Sequence, residues 1–181
     1  MRRPNHILTA LSFGLLLAAC QPYAPSAATA SQQAQTASTE QASLQRRIDS
    51  FNAGFEAGDY FVVTDVLPPR LLGLMSKRAG MPPSALQKLL LSSTQDVMSS
   101  AKVHSSVMTI PEGAIKPAGK LHYALLPTKT DITILGQRRQ QETTTVALKD
   151  SGKWYLIRVE TAQHEADIKT AYPELRAVKI L

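Results

Sequence analysis

Few side chains in this chain of 181 residues have the types and spacings that chemistry needs. Cys20 is its one cysteine, so the chain offers no internal disulfide and no second thiol for a metal or a redox couple. Apart from His6, the histidines are His104, His122 and His164. None has another histidine at i+4, and no acidic partner stands at ligand spacing, so no metal site is expected. There is no G-x-S-x-G, no serine is set against a histidine, and the glycines are dispersed rather than gathered in a phosphate loop. No cofactor is therefore expected. What remains is acid–base and binding chemistry, from the carboxylates Asp65, Asp131 and Glu142, the neighbours Arg158 and Glu160, and the aromatic residues Tyr60 and Trp154.

Cys20 closes a targeting layout. Arg2 and Arg3 give a positive start, and Ile7 to Ala19 form an apolar run broken only by Thr9, Ser12 and Gly14. As a helix that run reaches about 20 Å at ~1.5 Å per residue, short of the roughly 30 Å hydrocarbon core. The segment Leu17-Ala18-Ala19-Cys20 resembles the bacterial lipobox. The resemblance implies a signal peptide over residues 1–19, cleavage before Cys20, lipid on the Cys20 thiol and acylation, as by palmitate, of the exposed amine. One acyl chain holds only marginally and several hold durably, so the membrane becomes the first partner. Gln21 stands where an aspartate would resemble an inner-membrane retention signal. The expected address is thus the cell envelope, on the outer membrane and facing the periplasm.

Residues 21–43 are Ala, Ser, Thr and Gln with two prolines, Tyr23 and Glu40, and have no hydrophobic set to offset the entropy of ordering. They read as a flexible tether of about 25–30 Å average span, whose last residues, Thr39 to Ala42, suit a backward extension of the first helix. The domain is expected over 44–181, an ordinary size for one core. Its basic residues, part of a net charge of +6, are scattered rather than clustered with aromatics, so no nucleic-acid partner is expected.

Within the domain, Leu44, Ile48, Phe51 and Phe55 line one face of a helix whose end Gly54 weakens and Gly58 stops. Asp59 can cap a short apolar helix carrying Tyr60 to Leu67, and Pro68-Pro69 starts a third. Pro82-Pro83 opens a fourth, with an apolar stripe through Leu86, Leu89, Leu90, Ser93, Val97 and Ala101. The pattern then changes to strands over 103–110, 121–135, 139–149 and 153–160, with Pro127 at a bulge or edge and Asp150-Ser151-Gly152 as a hairpin loop. A short helix around Glu165 to Thr170 ends at Pro173. Helices followed by an antiparallel meander give an α+β class.

This order resembles the NTF2-like (SnoaL-like) superfamily, through the helix junction Gly54-Phe55-Glu56-Ala57-Gly58-Asp59-Tyr60 and the hairpin Asp150-Ser151-Gly152-Lys153-Trp154-Tyr155. The resemblance implies N-terminal helices packed on a curved antiparallel sheet, a cone with an apolar pocket, and dimerisation through the sheet. It also implies that any catalysis would use a pocket carboxylate, and the candidates are Asp65 on the second helix and Glu142, which shares strand parity with Val146 and Leu148. Asp131 lies on the face opposite Ile132 and Ile134 and is expected to face solvent. Arg158 shares parity with Trp154 and Leu156; it pairs with Glu142 or Glu160 either in the cone mouth or on the surface. Tyr60 either reaches the pocket or packs in its helix cluster, and Trp154 is either the pocket floor or a core aromatic. Tyr60, Trp154 and Arg158 are accordingly the ligand-contact candidates.

Two functions fit these residues. One is a tethered module that binds an apolar small ligand or an envelope protein without catalysis, alone or as an accessory subunit of an envelope assembly. The other is an isomerase-, cyclase- or dehydratase-type enzyme. Mass spectrometry of the protein recovered from membranes should find a mature chain that begins at Cys20 and is heavier by its acyl chains. Cys20→Ser should move the protein out of the membrane fraction, and an unmodified chain beginning elsewhere would contradict the anchor.

Overall fold

The computed structural model describes the backbone of residues 27–181 and the side chains of residues 35–181. The expected signal peptide over 1–19, Cys20 and the start of the expected tether lie outside the described residues. Helix α1 spans Ala27–Glu56, α2 Phe61–Asp65, α3 Pro69–Ala79 and α4 Pro83–Ser99. The strands β1 (Ala101–Met108), β2 (Lys116–Ala118), β3 (Leu121–Ile134), β4 (Gln137–Asp150) and β5 (Lys153–Val159) follow, and α5 (Ala162–Ala171) with a 3-10 turn at Pro173–Leu175 closes the chain. The α+β order expected from the sequence is the order observed, and the antiparallel sheet is strongly curled into a half-barrel, giving a cone-like fold.

The strand order is β1-β3-β4-β5, with β2 on the same edge of β3 as β1. β3 and β4 pair along their length from His122↔Lys149 to Ile134↔Gln137, while β5 pairs only with Thr144 to Asp150. Pro127 sits where the pairing of β1 ends, at Met108↔Thr128, so its missing N–H interrupts no ladder there. Its carbonyl accepts from Thr109 N at 3.0 Å. The β4–β5 hairpin is a two-residue turn with Ser151 at φ 52 and Gly152 at φ 83, the positive pair that matches strand twist. Leu135 and Gly136 turn β3 into β4 in the same manner, at φ 49 and φ 77.

Both faces of the sheet are covered, by different elements. On one, Leu44 and Ile48 of α1 pack on Ala124, Leu126, Ala147, Trp154 and Leu156. On the other, Leu71 of α3, Ile168 of α5, Tyr172 and Leu175 pack on Val146, Leu148, Ile157 and Val159. Strand parity decides this division, because Ala147 opposes Leu156 while Val146 opposes Ile157.

Three sequence expectations are revised. Residues 27–43, read as a flexible tether, belong to α1. Their alanines and glutamines are strong helix formers, and the end of the segment is held to the sheet. Trp154 Nε1 donates to Ser43 Oγ at 2.9 Å, and Lys149 Nζ donates to both carboxylate oxygens of Glu40 at 2.7 Å. The domain thus starts before Leu44. In α4 the inward line is Leu86, Leu90, Thr94 and Met98, whereas Leu89 and Val97 of the expected stripe are about half exposed, at 49% and 54%. A strict i+4 row fits the short contact that α4 makes. Gly54, read as a weak point of α1, is instead where α2 crosses closely: a Cβ there would lie 2.4 Å from Val62 Cγ1.

Ser43→Ala should lower stability by about 1–2 kcal/mol, because it leaves a buried indole N–H unpaired. Leu44→Ala, at a fully buried position, should cost about 2–5 kcal/mol. Chemical denaturation of the full chain reads both. A neutral Ser43→Ala would mean that the α1–β5 hydrogen bond does not hold α1 on the sheet.

Candidate functional site

A cavity of about 620 Å³ opens between the end of α1, α2, α4 and the inner face of the sheet. Its position follows from strand lengths. Both β3 and β4 run for 14 residues, and α1 packs tightly only on the half that β5 also pairs. Beyond that half the sheet curls away, and the short α2 and the tail of α4 roof the gap. The walls are mostly apolar: Phe51 and Phe55 from α1, Val63 from α2, Met98 from α4, and Met108 and Ile132 from the sheet. Phe55 stacks on Phe51 at 5.8 Å and meets Tyr60 edge-on at 5.5 Å, which fixes the aromatic side of the roof.

The polar lining is built from hydroxyls and an amide. Thr128, Thr130 and Ile132 alternate along β3 and share the cavity face. Thr128 Oγ1 donates to the Leu126 carbonyl at 3.1 Å, so the 2.8 Å contact to Thr145 Oγ1 is donated by Thr145. Thr130 Oγ1 and Asn52 Oδ1 are buried and have no hydrogen-bond partner. The charged groups of the lining are exposed: Glu56 at the end of α1, Arg158 on β5 and His104 at the β1 bulge. Arg158 Nε is 2.8 Å from Glu160 Oε1, each side chain about 40% exposed, in keeping with an ion pair at the rim. The His104 ring meets Thr133 Oγ1 at 2.9 Å.

The residues singled out from the sequence are dispersed by the fold. Tyr60 and Arg158 line the cavity. Trp154 does not; it is a core residue, 3% exposed, bonded to Ser43 and packed among Leu44, Ala147 and Leu156. Asp65 lies outside the cavity lining, where Lys153 Nζ reaches Oδ1 at 2.6 Å and Arg47 Nη2 reaches Oδ2 at 2.7 Å. Burial acts to raise its pKa, but the hydrogen bonds from Lys153 and Arg47 outweigh it and hold the carboxyl below 3.8. Such a group stays ionised and is a poor proton carrier near neutral pH; it clamps α1, α2 and β5 together. Glu142 faces Lys129 across the β3–β4 ladder at 2.9 Å, with both side chains about three-quarters exposed. Its parity with Val146 and Leu148 places it on the sheet face away from the cavity, beside a shallow hollow that it lines with Lys129, Glu160 and Leu181. Asp131 is on that face too, but Arg138 covers it. The Arg138 guanidinium, with a smaller contribution from Gln140, holds its carboxyl down to about 2 against the opposing effect of burial.

Among the described residues no group of three or more His, Cys, Asp or Glu is placed to hold a metal ion. Among the same residues no helix is long and apolar enough to cross a membrane. The groups that sequence reasoning missed are Asn52, Thr130 and the Thr128–Thr145 pair. Threonine is also an ordinary strand former, so composition does not single these out; only the alternation of β3 placed them on one face. Compared with known proteins, the chain matches no family model, no curated protein and no solved structure.

Because the Asp65 carboxyl titrates lower in the folded chain than 3.8, its stabilisation is fully present above the ordinary carboxylate range and is lost as pH falls through the folded-state value. Asp65→Asn should therefore lower the unfolding midpoint at neutral pH, by an amount corresponding to about 1 kcal/mol for a partly exposed clamp. It should also flatten the acid limb of the stability–pH profile measured by thermal unfolding. A profile identical to that of the parent would remove the clamp.

Proposed function

We propose that this chain is a lipid-anchored envelope protein whose cone-shaped domain, of the NTF2-like kind, binds an apolar small ligand without performing chemistry on it. The observation that carries the binding half is the cavity of about 620 Å³, apolar on most of its walls and open to solvent at a charged rim. That volume lies within the range of ordinary small-molecule pockets. Its buried polar groups are hydroxyls and an amide, which orient a ligand but are poor proton carriers near neutral pH. The two carboxylates considered as bases are committed elsewhere, Asp65 to Arg47 and Lys153, and Glu142 to Lys129.

The anchoring half is supported by the targeting layout and Leu17-Ala18-Ala19-Cys20, with outer-membrane placement facing the periplasm. A helix from Ala27 replaces most of the expected coil between lipid and domain, so the reach from the bilayer is set by a rod of ~1.5 Å per residue. Without residues 1–19, which carry Arg2 and Arg3, the mature chain keeps a basic net charge of +4, which favours an anionic membrane surface as neighbour.

The neutral probe N-phenyl-1-naphthylamine should gain fluorescence with a saturable one-to-one binding curve on the purified full chain. Ser106→Trp, which puts an indole into the cavity from β1, should weaken that binding at least about tenfold while leaving the far-ultraviolet circular dichroism unchanged. Equal probe binding by the parent and Ser106→Trp would overturn the cavity as the site.

A further inference from the structure

Two polar atoms are stranded in the wall of the cavity. Thr130 is 7% exposed, lies between Thr128 and Ile132 on the cavity face, and has an Oγ1 with no hydrogen-bond partner. Asn52, on α1, lines the same cavity and has a buried Oδ1 that is likewise unpartnered. A buried polar atom left without a partner costs free energy that a matching ligand group recovers. The neighbouring hydroxyls do not relieve Thr130, because Thr128 and Thr145 are occupied with each other and with the Leu126 carbonyl.

From this we infer that the ligand is an uncharged amphiphile, an apolar body ending in a hydroxyl, that enters polar end first and places its O–H at Thr130 and Asn52. The inference rests on the cavity being a binding site and adds the chemistry of what it selects. An amide oxygen needs a donor, and a threonine hydroxyl can donate or accept. An alcohol oxygen supplies both roles. A hydrocarbon supplies neither, and an ether supplies no donor, so it leaves Asn52 Oδ1 stranded. A carboxylate is disfavoured for a different reason. The charged lining groups Glu56, Arg158 and His104 are all exposed, and Arg158 is held by Glu160 at the rim. An ion carried to the buried end would therefore lose its hydration without gaining a counter-charge.

Displacement of N-phenyl-1-naphthylamine from the full chain tests this with decan-1-ol, 1-methoxynonane, which has the same number of heavy atoms and no O–H, and decanoate above pH 7. Decan-1-ol should displace the probe at about one-tenth the concentration required of the ether, and decanoate should be weaker than decan-1-ol. Thr130→Val, close to isosteric, and Asn52→Leu should each reduce the alcohol-over-ether preference to about twofold or less. Equal potency of alcohol and ether on the parent overturns the headgroup assignment without any variant, and so does decanoate binding more tightly than decan-1-ol. A preference undiminished in both variants overturns the assignment to Thr130 and Asn52. No probe binding at all overturns the cavity reading and this inference with it, and is thereby distinct from the other results.

Discussion

Antiparallel pairing between two strands of 14 residues is the constraint from which the rest of this structure follows. At ~3.3 Å per residue such strands span about 45 Å, far more than one helix turn or a short strand can cover. β5 pairs with only the half of β4 that ends at Asp150, and α1, α3 and α5 pack on that half. There the interior is filled by two buried apolar clusters, one on each face. The other half, twisting as long strands must, curls over the space beneath α2 and α4, and the mismatch between covered and uncovered length becomes the cavity. Where β4 runs on without a β5 partner its residues are Gln137-Arg138-Arg139-Gln140-Gln141-Glu142, a charged and polar edge that discourages further strand pairing.

A second layer of interactions joins the helices to this sheet at points remote in sequence. Glu40 and Ser43 of α1 reach Lys149 and Trp154, while Arg47 of α1 and Lys153 of β5 converge on Asp65 of α2. On the other face, Tyr172 donates to Asp150, and Arg70 lies over the Tyr172 ring and pairs with Glu174. The buried Tyr172 hydroxyl is pushed above its ordinary value by burial and by the negative charge of Asp150, so it stays protonated as a donor. These partly exposed contacts add modest energy each, but they decide how the helices sit over the packed half and therefore how wide the roof of the other half stands.

Much of the architecture was readable in advance because it is periodic. Leu44, Ile48, Phe51 and Phe55 recur at helical spacing and do line one side of α1, the first two in the core and the last two over the cavity. The turns at Gly58 and Ser151-Gly152 fall where positive φ is required. The candidate site was read less well. Asp65, Glu142 and Trp154 were selected by residue type and strand parity, yet type does not reveal that a carboxylate will be claimed by two cations from other elements. Parity, too, separates the two faces of β4 without telling which face is roofed. Asn52 and Thr130 escaped notice because an amide near a helix end and one threonine among many have no periodic signature.

Local order in this protein was thus settled by the chain itself: the helices before the strands, the hairpins, and the faces of α1 and of the long strands. These are determined by interactions between near neighbours, through propensity, turn geometry and hydrophobic period. Only the tertiary structure decided that residues from Ala27 onward form a helix held on the sheet, that Trp154 is core, and that Asn52 and Thr130 share one hollow. Those outcomes depend on contacts between residues up to 111 positions apart, as from Ser43 to Trp154, and such contacts leave no trace in local pattern because many sequences satisfy the same period while meeting different partners.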